Sequence, residues 1–143
     1  MNVETVSRIV RIYPSSPLRG SILPPSSKYH TLRYILAAFL ASGESRIYYP
    51  AISDDTKVLL QVCTQLGAKI QTEYQADGRC ILSIQGTGGL LQTPPHTTLD
   101  VGNAGAVLRL LLGICAVSPE AITFTTPYLD SLGRRPNADL LQA

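Results

Sequence analysis

The sequence predicts an α/β protein, α+β in detail, built from repeated β-α-β-α-β-β units of which about one and a half are present. Three observations carry this. Helical apolar stripes alternate along the chain with short runs rich in β-branched and aromatic residues. Nearly every run is bracketed by a serine, glycine or proline that starts or stops it. An arginine–glutamate pair also recurs, Arg33 with Glu44 and Arg109 with Glu120, at one common spacing.

The elements follow in order. Val6 to Tyr13 alternates Val6, Ile9 and Ile12 with Arg8 and Arg11, a first strand, and Pro14 to Pro17 is a turn. Leu18 to Leu23 is a second short extended piece that stops at Pro24-Pro25. Ser26-Ser27 offers caps for a helix over about 28–42, whose Leu32, Ile35, Leu36, Phe39 and Leu40 form one buried stripe. Gly43 ends it, and Glu44 to Tyr49 is a strand closing at Pro50. Ser53 caps a second helix with Asp54 and Asp55 in its first turn, where the helix dipole favours acids. Its inner face is Val58, Leu59, Val62, Cys63 and Leu66, and Gly67 stops it. Lys69 to Tyr74 and Arg79 to Gln85 flank Ala76-Asp77-Gly78, a hairpin signal. Gly86 to Pro95 is expected to be a flexible connection. Thr97 to Val101 is extended, a helix follows over about 103–117, and Ala121 to Thr126 is a strand. Pro136 suits the first turn of a last helix.

In both copies of the repeat the arginine lies early in a helix, and the glutamate precedes a strand ending at Pro50 or Pro127. The first unit covers about residues 6–86 and an incomplete second one about 97–143, together one partial domain, 1–143. Such a unit buries its helices only by packing on partner units, so the chain is expected to belong to a larger body.

Composition narrows the function. A net charge of +2 with no basic run argues against nucleic acid as a partner. No apolar run reaches membrane-spanning length, and the start of the chain lacks a secretory pattern. Three cysteines without paired spacing read as buried free thiols in a reducing cytoplasm. No metal-ligand cluster, serine–histidine–acid arrangement or paired catalytic carboxylates are legible.

Four places hold residues that a core does not require. Lys28 opens a helix against its dipole, with Tyr29 beside it and Arg33 further along the first turns. Asn103, Gly105 and Arg109 mark a glycine-flanked helix start, where free N–H groups favour anions. Arg134 and Arg135 precede Pro136. Ser53-Asp54-Asp55 reads better as a plain helix cap than as a site. Recurrence is the argument: three helix starts each carry a cation, the combination that holds small phosphorylated or carboxylated metabolites.

These residues also resemble a known family. Pro25-Ser26-Ser27-Lys28-Tyr29-His30-Thr31-Leu32-Arg33, then Ser53-Asp54-Asp55, then Gly102-Asn103-Ala104-Gly105-Ala106-Val107-Leu108-Arg109, then Arg135-Pro136 are similar in order and spacing to motifs of the enolpyruvyl transferase superfamily. They look most like the amino-terminal part of the 5-enolpyruvylshikimate-3-phosphate synthases, a glyphosate target family of the shikimate pathway of aromatic amino-acid biosynthesis. The resemblance implies a two-domain fold built from six such units in all. It also implies transfer of the enolpyruvyl group of phosphoenolpyruvate to the 5-hydroxyl of shikimate 3-phosphate, without a cofactor. By position, Lys28 would be catalytic and touch both substrates. Tyr29 and Arg33 would lie on shikimate 3-phosphate, and Asn103, Gly105, Arg109 and Arg135 on phosphoenolpyruvate.

Tyr29, Leu32 and Ala106 depart from the family's serine, asparagine and threonine, and Tyr29 is much the bulkiest change. The family's second domain, with its acid–base carboxylate, is not encoded in these 143 residues, so a complementary chain or missing domain is the expected partner. The alternatives are a non-catalytic anion-binding or regulatory module of the same fold, a structural subunit, or a transferase for a different acceptor.

Overall fold

The computed structural model describes residues 19–137 together with Tyr13 and Pro17. The first strand expected over Val6–Tyr13, all but Tyr13 itself, and the body of the helix expected after Pro136 lie outside the described residues. Helix α1 is Lys28–Leu40, capped by Ser27, whose Oγ accepts the His30 N–H. Strand β1, Glu44–Tyr48, and helix α2, Asp54–Gln65, follow. Ser53 caps α2 through the Thr56 N–H, as its position before two acids predicts. Strands β2, Lys69–Tyr74, and β3, Cys80–Gln85, form the expected hairpin. β3 takes the centre of an antiparallel sheet of order β1-β3-β2.

The second copy of the repeat contains strand β4, Thr97–Asp100, helix α3, Gly105–Cys115, and strand β5, Ile122–Thr125. β4 and β5 pair in parallel, the pairing that a connecting helix permits. A short 3-10 turn, Leu132–Arg134, closes the described chain.

One apolar core joins these parts. Leu32, Ile35 and Phe39 of α1 and Leu59 and Val62 of α2 are fully buried beneath Leu82 and Ile84 of β3. Leu99, Val107, Leu111 and Leu132 continue the same cluster into the second copy. Two sequence expectations need correction. Leu40 sits at the rim of α1 and is 36% exposed, because the stripe drifts off the sheet in the last turn. Arg19 to Leu23 enters no strand ladder, and Ile22 and Leu23 stand in solvent.

The Gly86 run is also no loose connection. The Thr87 N–H donates to the Phe39 carbonyl (2.8 Å) and the Gly88 N–H to that of Ala41 (3.0 Å). These bonds satisfy carbonyls that the end of α1 leaves without helical partners.

Burial raises the Cys63 thiol from its ordinary 9.0 to about 12, helped by nearby Cys115, and burial raises Cys115 to about 11. Above pH 9 the unfolded chain sheds thiol protons that the native state keeps. Native stability is therefore expected to fall as pH rises from about 9 towards 12, and these groups have no effect below that window. Urea unfolding midpoints measured through this range are expected to decline less steeply in Cys63→Ala than in the parent chain. Parallel declines would rule out the contribution.

Candidate anion site at the start of α3

Two glycines build the entry to α3, for different reasons. Gly102 has φ +52°, a left-handed conformation, and a side chain there would press on Val58 Cγ2 at 3.3 Å. Asp100 Oδ1 accepts the Gly102 N–H at 2.8 Å, and the Thr126 hydroxyl holds the Gly102 carbonyl. The turn is thereby fixed to both strands, and α3 begins at Gly105, so Asn103 is a loop residue and not the first of the helix. Gly105 is needed for space. A Cβ there would stand 2.6 Å from Arg135 Nη1 and 3.2 Å from Arg109 Nη1.

That position explains how residues far apart in sequence converge. Side chains on a helix lean towards its amino end, and Arg109 reaches back to donate to the Gly105 carbonyl at 3.3 Å. The Leu132–Arg134 turn carries Arg135 to the other side of the same glycine. The two guanidinium nitrogens then lie within about 6 Å of each other, close enough to grip one small anion between them. Neither arginine forms an ion pair among the described residues. Ser27 and Ser53 close the starts of α1 and α2, whereas the cap position of α3 is Ala104, which offers no side-chain cap. The Ala104 and Gly105 N–H groups bond the Val101 and Asn103 carbonyls. The N–H groups of the next residues therefore start the helix without a side-chain cap, close to two guanidinium groups that form no ion pair among the described residues.

The first copy of the repeat shows the same device closed. Arg33 donates to the Tyr29 carbonyl at 3.0 Å, the four-residue reach of Arg109 to Gly105. Bulky Tyr29 stands where the second copy has glycine, and Arg33 lies exposed on the outside of α1. Lys28 turns away from Arg33. Its Nζ lies 3.2 Å from Asp55 Oδ2 at the first turn of α2 and 5.2 Å from the Tyr29 ring centroid. A lysine at a helix start is thus compensated by an acid from the neighbouring helix.

Asp55 is the residue that a plain capping role misses. Ser53 is the cap, while Asp55 holds Lys28 and lines a cavity of about 400 Å³ between α2 and the α3 entry. Asp54, Val58, Gly102, Asn103 and Tyr128 complete its walls. The cavity brings Asn103 and the Lys28–Asp55 pair to one place, with Gly105, Arg109 and Arg135 at the helix start next to it. Arg33 is not part of this group. Arg134 separates from its neighbour, pairing with Asp130 at 2.7 Å in solvent. Tyr128 carried no signal in the sequence, and the sequence clue to Asp55 was an acid at a helix start facing an unpartnered lysine. A larger groove of about 580 Å³ below Leu23 to Ser26 offers one cation, Arg79, already held by Asp77 and stacked on Tyr49. It is the poorer anion site.

The chain is similar to known proteins. The sequence model of EPSP synthase, 3-phosphoshikimate 1-carboxyvinyltransferase, matches residues 12–143. The 3-phosphoshikimate 1-carboxyvinyltransferase of Deinococcus radiodurans is 42% identical over 134 residues, covering 94% of this chain and 29% of the relative. Its counterpart in Thermus thermophilus is 38% identical over 129 residues, or 88% of this chain and 28% of the relative. The solved EPSP synthase from Acinetobacter baumannii superposes with a TM-score of 0.68 at 25% identity, covering 86% of this chain and 27% of that one. The chain therefore spans less than a third of the length of these relatives.

Proposed function

Because the chain belongs to the EPSP synthase family, we propose that it forms one wall of the site in which the enolpyruvyl group of phosphoenolpyruvate passes to the 5-hydroxyl of shikimate 3-phosphate, releasing phosphate. The supporting observation is the start of α3 without a side-chain cap, flanked at Gly105 by Arg109 and Arg135, neither of them ion-paired among the described residues. In this reading those two arginines and Asn103 take phosphoenolpyruvate. Lys28 spans both substrates, and Tyr29 and Arg33 border shikimate 3-phosphate.

The physical demand is plain. Two polyanions must be held together against their repulsion, in line for attack, and the charge of a tetrahedral intermediate must be balanced by donors already in place. Turnover is assigned to the complete assembly with a complementary domain or chain, and anion binding to this chain. Calorimetry of the purified chain is expected to show heat for phosphoenolpyruvate, and for shikimate 3-phosphate over shikimate. Equal affinity for shikimate with and without its phosphate, and no heat from phosphoenolpyruvate, would sink the assignment.

A second reading keeps the anion site and drops the chemistry. It is favoured by Lys28 being held by Asp55 and overlain by Tyr29. Adding the remaining part of a relative and finding binding without release of inorganic phosphate would select it.

A further inference from the structure

The link between β1 and α2, residues 49–53, is bonded to both helices. Tyr49 has φ +54°, a left-handed conformation uncommon for a bulky residue, and its neighbours keep it there. Its N–H donates to the Cys80 carbonyl at 2.9 Å, and its carbonyl accepts the Ser26 hydroxyl at 2.5 Å. Ala51 is then gripped from two sides. Its N–H donates to Thr31 Oγ1 of α1 at 2.9 Å, and its carbonyl accepts the Thr56 hydroxyl of α2 at 2.8 Å. Thr31 and Thr56 are 3% and 0% exposed, the two buried polar side chains among the described residues.

The direction of each bond is fixed. The Thr56 proton goes to a carbonyl, so in the 3.1 Å contact between Ser53 and Thr56 the Ser53 hydroxyl is the donor. The bonds run from Ser53 through Thr56 and Ala51 to Thr31, each polarising the next. Packing needs no hydroxyl at either threonine; this clamp does.

What the clamp sets is the offset between two helix starts. Lys28 stands three residues before Thr31, on the same face of α1, and Asp55 directly precedes Thr56. Bonding both threonines to one residue brings Lys28 Nζ to 3.2 Å from Asp55 Oδ2, the acid that lines the cavity beside the α3 entry. The ion pair is too weak to do this unaided. Its side chains are 38% and 23% exposed, and a pair so open to water scarcely offsets the entropy of a fixed lysine chain.

We propose that Thr31 and Thr56 are positioning residues, which act through the two backbone groups of Ala51 to hold the Lys28 ammonium beside Asp55 at the mouth of the cavity. Its bearing on ligands rests on the role proposed above for Lys28 with phosphoenolpyruvate.

Carbon-13 relaxation at the Lys28 ε-methylene of the ligand-free chain reads the positioning directly, with Lys57, 68% exposed on α2, as internal reference. The Lys28 order parameter is expected to exceed that of Lys57 in the parent, and to fall by about half in Thr31→Val and in Thr56→Val. Thr31→Ser and Thr56→Ser keep the hydroxyls and are expected to keep the parent value. If one valine variant fails to fold, the other carries the comparison from the opposite helix. Val62→Ala, at a fully buried α2 position outside the clamp, controls for lost stability. It is expected to lower the unfolding midpoint and leave Lys28 ordered. An unchanged Lys28 order parameter in the valine variants would overturn the proposal, and so would an equal fall in Val62→Ala. Calorimetry tests the ligand separately. Thr31→Val is expected to weaken phosphoenolpyruvate binding about threefold, and to add no loss to Lys28→Ala. No heat from the parent chain would refute the binding role of Lys28, while the order parameters still decide the clamp.

Discussion

Gly86→Ala is expected to destabilise the chain by about 3 kcal/mol or more, although the position carries no positive φ and no catalytic role. The cause is steric and falls on backbone. A Cβ on Gly86 would overlap the carbonyl oxygens of Ala41 and Ala38 and sit 3.0 Å from that of Phe39. Those carbonyls cannot give way cheaply. They end α1, Thr87 and Gly88 hold two of them, and the Phe39 side chain is fully buried in the core. Moving the segment outward breaks the Gly86–Gly43 bond and the capping bonds together. Gly113→Ala is the control: it lies in α3, and a Cβ there meets nothing within 4 Å. It is expected to stabilise by about 0.5–1 kcal/mol through helix propensity. Urea unfolding of the two variants therefore should move in opposite directions. A Gly86→Ala midpoint within error of the parent would refute the packing argument.

That glycine marks the boundary of what sequence pattern reveals. The stripe of Leu32, Ile35, Leu36 and Phe39, the caps at Ser27 and Ser53 and the Asp77-Gly78 hairpin are local, set by residues within a turn or two of each other. They were legible. Gly86 was not, because its role depends on carbonyls more than forty residues earlier in the chain. The same holds at the site. The glycine-flanked start of α3 could be read, as could its arginine. That Arg135 meets Arg109 at Gly105 while Arg134 goes to Asp130 follows from the Leu132–Arg134 turn, which no periodicity announces. Likewise Asp55 looked complete as a first-turn acid until α2 and α1 were placed side by side and Lys28 lay 3.2 Å away. Long-range partners, not local propensities, separate Arg33 from Arg109. The two make the same backward hydrogen bond, but a tyrosine stands over one helix start and a glycine opens the other.

This asymmetry orders three variants of the phosphoenolpyruvate titration. Arg135→Ala is expected to weaken binding by about a hundredfold, since a charge-assisted bond to an anion contributes roughly 1.5–3 kcal/mol and Arg109 is left alone. Gly105→Ala should have an intermediate effect, about tenfold, for an indirect reason. Its Cβ would stand 2.6 Å from Arg135 Nη1, the mobile tip of a side chain, so the guanidinium swings aside and the helix keeps its shape. Folding should then be unharmed, or slightly favoured by the exchange of glycine for alanine within a helix. Arg134→Ala should change nothing, because its charge is spent on Asp130 in solvent. The ranking, not any one value, tests the geometry. If Arg134→Ala weakens binding as much as Arg135→Ala, the two arginines act only as a diffuse positive patch. If Gly105→Ala lowers the unfolding midpoint along with affinity, the loss reflects a damaged helix start. Affinity that falls in the order 134, 105, 135 at constant stability is the signature of two guanidinium groups closing on one anion above a glycine.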